Sequence, residues 1–87
     1  MGKNTALIEF PYAYSTGRLS VEVWLQCASD VYLVDERNFK RFQSGQAFRH
    51  HGGHYTHTPV RISILGYGRW YLIVRGNGQY QYRFYVT

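Results

Sequence analysis

From Leu19 to Cys27 the chain alternates without a break. Leu19, Val21, Val23, Leu25 and Cys27 fall on one face of an extended strand, and Ser20, Glu22, Trp24 and Gln26 fall on the other, the period-two signature of a half-buried strand. The same period returns at Val60–Ile64, where Val60, Ile62 and Ile64 point one way and Arg61 and Ser63 the other. Pro59 opens that strand at a position where no ladder donor is lost. Shorter apolar runs predict strands over Ala6–Phe10, stopped by Pro11, and over Val31–Val34. Glycine, serine and asparagine clusters predict turns at Tyr12–Arg18, Ala28–Asp30 and Gly66–Gly68.

The last two runs, Trp70–Val74 and Tyr80–Phe84, read as a hairpin. A three-residue Gly76–Asn77–Gly78 loop sets Val74 against Tyr80, Leu72 against Tyr82 and Trp70 against Phe84, which leaves one face wholly apolar. A two-residue loop would set Leu72 against Arg83, so the buried pattern selects the first register. The opposite face then carries Arg69, Tyr71, Arg75, Arg83 and Tyr85, with Tyr71 across from Arg83 and Arg69 across from Tyr85 as two cation–π pairs.

One segment has a helical pattern. Asp35 has the shape of an N-cap, Glu36 sits where the helix dipole favours negative charge, and Phe39 and Phe42 form one apolar stripe while Arg37, Lys40 and Arg41 face away. Gly45 can end the segment in the left-handed region, giving a helix of about two turns over Asp35–Ser44. Beyond it, Gln46–His51 and His54–Thr58 pair across Gly52-Gly53 as a hairpin. That register places His51 opposite His54, on one face with Arg49, and sends His50 and His57 to the other. Seven to eight short strands with one short helix imply an all-β fold, a small antiparallel β-sandwich or barrel-like roll. Residues 1–87 make a single β domain, with 1–5 expected as a disordered leader.

Composition narrows the function classes. The chain has 87 residues, nine tyrosines, one cysteine and a formal net charge of +5. That charge suits polyanions but is also ordinary for solubility. Cys27 can form no internal disulfide and is expected to face the core, which fits a reducing compartment. No signal peptide, myristoylation site or long apolar run is present, so a cytoplasmic protein with no membrane association is expected.

No motif carries catalysis. There is no Gly-x-Ser-x-Gly, His-Glu-x-x-His or phosphate-loop pattern, and the five acids form no evident pair, so no enzyme activity and no cofactor are expected. His50, His51, His54 and His57 look like a metal cluster, but a flat hairpin splits them two and two, so no metal site is assigned. The contact surface expected for a ligand is the glycine–glycine hairpin with the strip from the helix start to Arg61: Asp35, Asn38, Arg49, His51, His54 and Arg61. There the chain spends glycines, histidines and aromatics in place of ordinary surface charge, which suits an unknown small polar ligand or a protein partner. Two alternatives stand beside it. Arg69, Tyr71, Arg75, Arg83 and Tyr85 could bind single-stranded nucleic acid, and Gln79–Thr87 could join copies of the chain into a homo-oligomer. The oligomeric state is not legible in the sequence.

Tyr32-Leu33-Val34-Asp35, Asn38-Phe39, Gly45, Gly52-Gly53, Thr58-Pro59-Val60-Arg61-Ile62 and Gly68-Arg69-Trp70-Tyr71 together resemble a small bacterial domain family of unknown function. The likeness covers roughly Leu7 to Thr87. It implies a compact, mostly antiparallel β domain that occurs alone or beside TIR signalling domains, and hence a sensing or ligand-binding module. The chain departs from the family pattern at Arg69, where histidine is common, and at His50 and His51, where aromatic residues are common. The second departure weakens a metal role for the histidines. No TIR-like segment is present in this sequence.

Overall fold

The computed structural model describes residues 10–87. In chain order the elements are β1 (Tyr12–Leu25), β2 (Ser29–Asp35), α1 (Glu36–Gln43), β3 (His51–Tyr55), β4 (Val60–Arg75) and β5 (Tyr80–Val86). The strands are antiparallel and form one open sheet in the order β3-β2-β4-β1-β5.

Two long strands organise the sheet. β1 and β4 have 14 and 16 residues and pair from Tyr12 against Tyr71 to Val23 against Val60. β2 lies on the second half of β4, with Leu33 against Leu72, and β3 lies outside β2. β5 lies on the second half of β1, with Val21 against Phe84. The sheet therefore has two halves that share β1 and β4, and Gly17 faces Gly66 where they join. A Cβ on Gly66 would stand 3.2 Å from the Trp70 ring, so glycine there lets the indole lie close against the strand.

Alternation along every strand sends one set of side chains inward. Leu19, Val21, Val23, Val31, Leu33, Val60, Ile62, Ile64, Trp70 and Leu72 form a single buried cluster. Val60–Ile64 and Trp70–Leu72 lie on either side of the join, and both belong to this cluster as the sheet bends over its inner face. The bend also brings β3 toward the first half of β4: a Cβ on Gly52 would sit 3.0 Å from Ile62 Cδ1. Each such side chain contributes about 1.5–3 kcal/mol on burial. The outer face is covered by α1, whose Phe39 packs with Val34 and Ile73 amid Phe10, Tyr32, Phe42, Phe48 and Tyr71. The Phe39 and Tyr71 rings stack with centroids 3.9 Å apart.

The helix appears where its pattern predicts. Asp35 Oδ1 accepts the Asn38 backbone N–H at 2.9 Å, Phe39 is buried, and Lys40 and Arg41 occupy the last turn. Gly45 takes a φ of +76°, and the N–H groups of Gly45 and Gln46 bond back to Phe42 O and Arg41 O, the paired bonds of a Schellman stop. Val60, Ile62 and Ile64 are buried while Arg61 and Ser63 are exposed, as their alternation requires.

The strand count and most of the expected turns are corrected. Among the described residues there are five strands in one open sheet, not seven or eight, because three glycine clusters lie inside strands. Gly17 is within β1, Gly52-Gly53 within β3, and Gly66 and Gly68 within β4. Glycine in a strand marks a bend or a close approach as readily as a turn. The expected Gly52-Gly53 hairpin is absent: β3 is one strand laid on β2, with His51 against Leu33 and His54 against Asp30. The terminal hairpin is also replaced. β1 separates β4 from β5, and Tyr80, Tyr82 and Phe84 meet Leu25, Val23 and Val21. An apolar stripe is satisfied by either neighbour, so period alone could not choose. Ser29 and Asp30 open β2 instead of forming a turn. Cys27 lies past the end of β1 and is exposed, not core-facing. Of the strand expected over Ala6–Phe10, residues 6–9 lie outside the described residues and Phe10 is not in a strand. No helix among the described residues is long and apolar enough to cross a membrane.

Candidate functional site

The Schellman stop after α1 reverses the chain, so residues 46–50 run back along the helix toward its start. The return path is held by side-chain amide chemistry. Asn38 Nδ2 donates to Asp35 Oδ1 at 2.9 Å, and Asn38 Oδ1 accepts the backbone N–H of Arg49 at 2.8 Å. Asp35 thus caps the helix and orients Asn38, and Asn38 fastens the returning segment. Phe48 anchors the segment from below, edge-on to Phe42 and Tyr32 with centroids 5.3 and 6.0 Å away.

Between α1 and this segment lies a groove of about 660 Å³, lined by Asp35, Arg37, Asn38, Arg41, Ala47, Phe48 and Arg49. It adjoins a second stretch of about 540 Å³ that shares Asp35, Asn38, Phe48 and Arg49 with it, and there His50, His51 and Trp70 join the lining. The His51 ring is 5.8 Å from the Trp70 ring. The Trp70 indole Nε1 is buried without a hydrogen-bond partner among the described residues. One end of the groove is therefore arginine-rich and the other aromatic. Among the described residues Arg37, Arg41 and Arg49 enter no ion pair, whereas Arg61 and Arg69 each approach a carboxylate.

Four of the six residues proposed for ligand contact come together here: Asp35, Asn38, Arg49 and His51. The other two are elsewhere. His54 points to the outer face, its Nδ1 2.9 Å from Asp30 Oδ1. Arg61 sits in the other half of the sheet, where its Nε donates to Glu22 Oε2 at 2.7 Å. Sequence reasoning missed the lining role of Arg37, Arg41, Phe48 and Trp70. Arg37 and Arg41 are one helical turn apart and share a face, and Gly45 signals the reversal that brings the chain back over that face.

The basic-aromatic strip does not assemble as expected. Arg69 lies over the rings of Tyr12 and Tyr14, 5.0 and 4.9 Å from their centroids. It also donates to the hydroxyls of Tyr71, at 3.2 Å, and Tyr14. These bonds raise its pKa still further. Tyr71 is stacked under the helix, and Arg75 lies over Tyr32 and Phe42. Arg83 faces Glu22 across β5 and β1, and the Tyr85 hydroxyl donates to Glu22 Oε1 at 2.8 Å. The Tyr71–Arg83 and Arg69–Tyr85 pairs expected from the terminal hairpin are thus absent. Hydrogen bonding from Tyr85, then from Arg61, holds the Glu22 carboxyl below its usual range.

The histidines are dispersed. His51 is by Trp70, His54 by Asp30, His50 over Tyr32 at 4.3 Å and His57 beside Tyr55. Among the described residues no group of three or more His, Cys, Asp or Glu side chains is placed to hold a metal ion.

A family described as a domain of unknown function, DUF1883, matches residues 15–83. No curated protein and no solved structure matches the chain.

Proposed function

The chain belongs to the DUF1883 family, and from its groove we propose that it is a non-enzymatic binding or sensor module for a polar ligand. The carrying observation is that Asp35, Asn38, Arg49 and His51 line one concavity with Trp70. Two of them, Asp35 and Asn38, hold the walls in place. A groove of this volume, with an aromatic floor and a few polar groups, is the usual form of a small-molecule site. The sequence resemblance to a bacterial family found beside TIR domains supports the same reading, a small recognition unit working with a signalling partner. A cytoplasmic setting suits a chain whose one cysteine, Cys27, is exposed and unpaired, since reducing compartments keep such thiols free.

The test is a ¹⁵N-correlated NMR titration of the chain with a panel of small polar compounds. Binding should move the amides of residues 35–51 and the Trp70 indole resonance, and leave the exposed Trp24 indole still. A panel that moves nothing in this segment, or moves only residues elsewhere, removes the reading.

A second reading is favoured by one observation. β5 is an outer strand of the sheet, and it carries exposed Tyr82, Tyr85 and Val86. An open strand edge with apolar side chains is a template for pairing, which supports self-association through Gln79–Thr87. Sedimentation tests it: a strict monomer at high concentration excludes it.

A further inference from the structure

We propose that the arginine-rich end of the groove takes a phosphomonoester, and that the ligand as a whole is a phosphate attached to a planar ring, the chemistry of a mononucleotide. This rests on the binding reading above and specifies it.

The electrostatics argue for an anion. Arg37, Arg41 and Arg49 line one groove against a single carboxylate, Asp35. Oδ1 of that carboxylate already accepts both the backbone N–H and the amide of Asn38, which orients it for capping. The three guanidiniums have no carboxylate partner among the described residues. Like charges gathered around one groove repel one another unless an anion sits among them.

The geometry argues for phosphate over carboxylate. Guanidinium donors come from two directions, α1 on one side and the returning segment on the other. A carboxylate offers two oxygens in one plane, whereas a phosphomonoester offers three terminal oxygens and a charge near −2 at neutral pH. Arginine forks match those oxygens in bidentate fashion. The ring follows from the other end. The exposed His51 imidazole lines the continuation of the same groove beside the largely buried Trp70 ring, and an aromatic wall of this kind suits a planar heterocycle. The combined space favours one nucleotide-sized molecule over a polymer. A nucleic-acid strand would need a basic path extending across the surface, and the nearest candidate, Arg69, is instead packed among tyrosines.

The experiment titrates the full chain with inorganic phosphate, AMP, adenosine and an oligothymidylate of eight nucleotides. Binding is followed by NMR at the Arg49 amide, the arginine Nε resonances and the Trp70 indole. Phosphate should move the Arg37, Arg41 and Arg49 signals alone. AMP should move these and the Trp70 indole, and bind more tightly than phosphate or adenosine. R37Q combined with R41Q should weaken AMP by at least about tenfold, since each removes a charge-assisted bond, and leave adenosine unchanged. Both side chains are exposed, and an unchanged amide spectrum confirms that the variant folds. Adenosine binding as well as AMP, indifferent to R37Q and R41Q, overturns the phosphate assignment while the groove reading stands. The oligonucleotide binding where AMP does not overturns it in favour of a strand-binding surface. No movement at the three arginines with millimolar phosphate or AMP also overturns it. If the polar panel leaves residues 35–51 unmoved as well, the binding reading fails with it.

Discussion

The backbone N–H of Arg49 donates to the side-chain oxygen of Asn38 at 2.8 Å, so one amide side chain ties the far wall of the groove to the helix that forms the near wall. The other end of the same amide donates to Asp35 Oδ1. Asn38→Ala removes both bonds and should cost about 1–3 kcal/mol. Denaturant unfolding gives the total, and hydrogen exchange locates it, because the Arg49 amide should lose its protection while β1 and β4 keep theirs. Asn38→Asp separates the two bonds. Its carboxylate can still accept from Arg49 but cannot donate to Asp35, and the two charges repel. A variant as stable as the parent, with a protected Arg49 amide, would show that the segment is held some other way.

Gly52 is a second position where the local geometry sets a sharp expectation. Its φ is +120°, and a Cβ there would fall 2.1 Å from Val31 O, on the backbone of the neighbouring strand. Gly45 has a φ of +76° with nothing within 4 Å. Gly45→Ala should therefore cost only the left-handed penalty, about 1–2 kcal/mol. Gly52→Ala should cost well beyond that and detach β3 from β2, exposing the amides of residues 51–55 to exchange. Equal losses at the two sites would mean that β3 does not run this close to β2.

These glycines also show what the sequence could and could not reveal. The alternation of Leu19, Val21 and Val23 and of Val60, Ile62 and Ile64 is a local property, and it correctly assigned the inner face. The helix was legible in the same way from Asp35, Phe39, Phe42 and Gly45, since caps are local chemistry. What failed was every inference that needed to know which strand lies next to which. Gly17, Gly52 and Gly66 permit a turn and an in-strand bend equally well, and the choice depends on the length of β1 and β4, a tertiary outcome. For the groove, Asp35, Asn38, Arg49 and His51 were found although the Gly52-Gly53 hairpin argued for them is absent, because the helix cap and its stop bring them together within one short stretch, and Arg37 and Arg41 in that same stretch were missed. Trp70 could not be found that way, because it arrives from β4 through its register with Asp35.

The bend of the sheet over its inner face predicts a contrast between two leucines. Leu72 is fully buried and belongs to the shared cluster, whereas Leu65 is 75% exposed beside the join. Leu72→Ala should cost about 2–5 kcal/mol, and Leu65→Ala should stay within about 0.5 kcal/mol. Chemical denaturation of the two variants checks this. A costly Leu65→Ala would indicate that the outer face near the join is covered by something further.

The position of β5 can be tested through pH. Tyr85 donates to one oxygen of Glu22 and Arg61 to the other, linking β5, β1 and β4 in a row, and both bonds hold the Glu22 carboxyl below its usual range. A carboxyl whose pKa is lowered on folding adds stability above its unfolded pKa, about 4.3 for glutamate, and loses that contribution as pH falls through the folded value. Acidification below about pH 4.5 should therefore destabilise the parent chain, and Glu22→Gln should flatten that part of the profile. Tyr85→Phe removes the larger of the two causes, so the Glu22 titration, followed by carboxyl NMR, should move back toward the ordinary glutamate value. The shift also decides between topologies. In a terminal hairpin Tyr85 would stand beside Arg69, remote from Glu22, and Tyr85→Phe would leave the Glu22 titration where it was. Only β5 laid on β1 makes one hydroxyl on the last strand set the acidity of a carboxyl on the first.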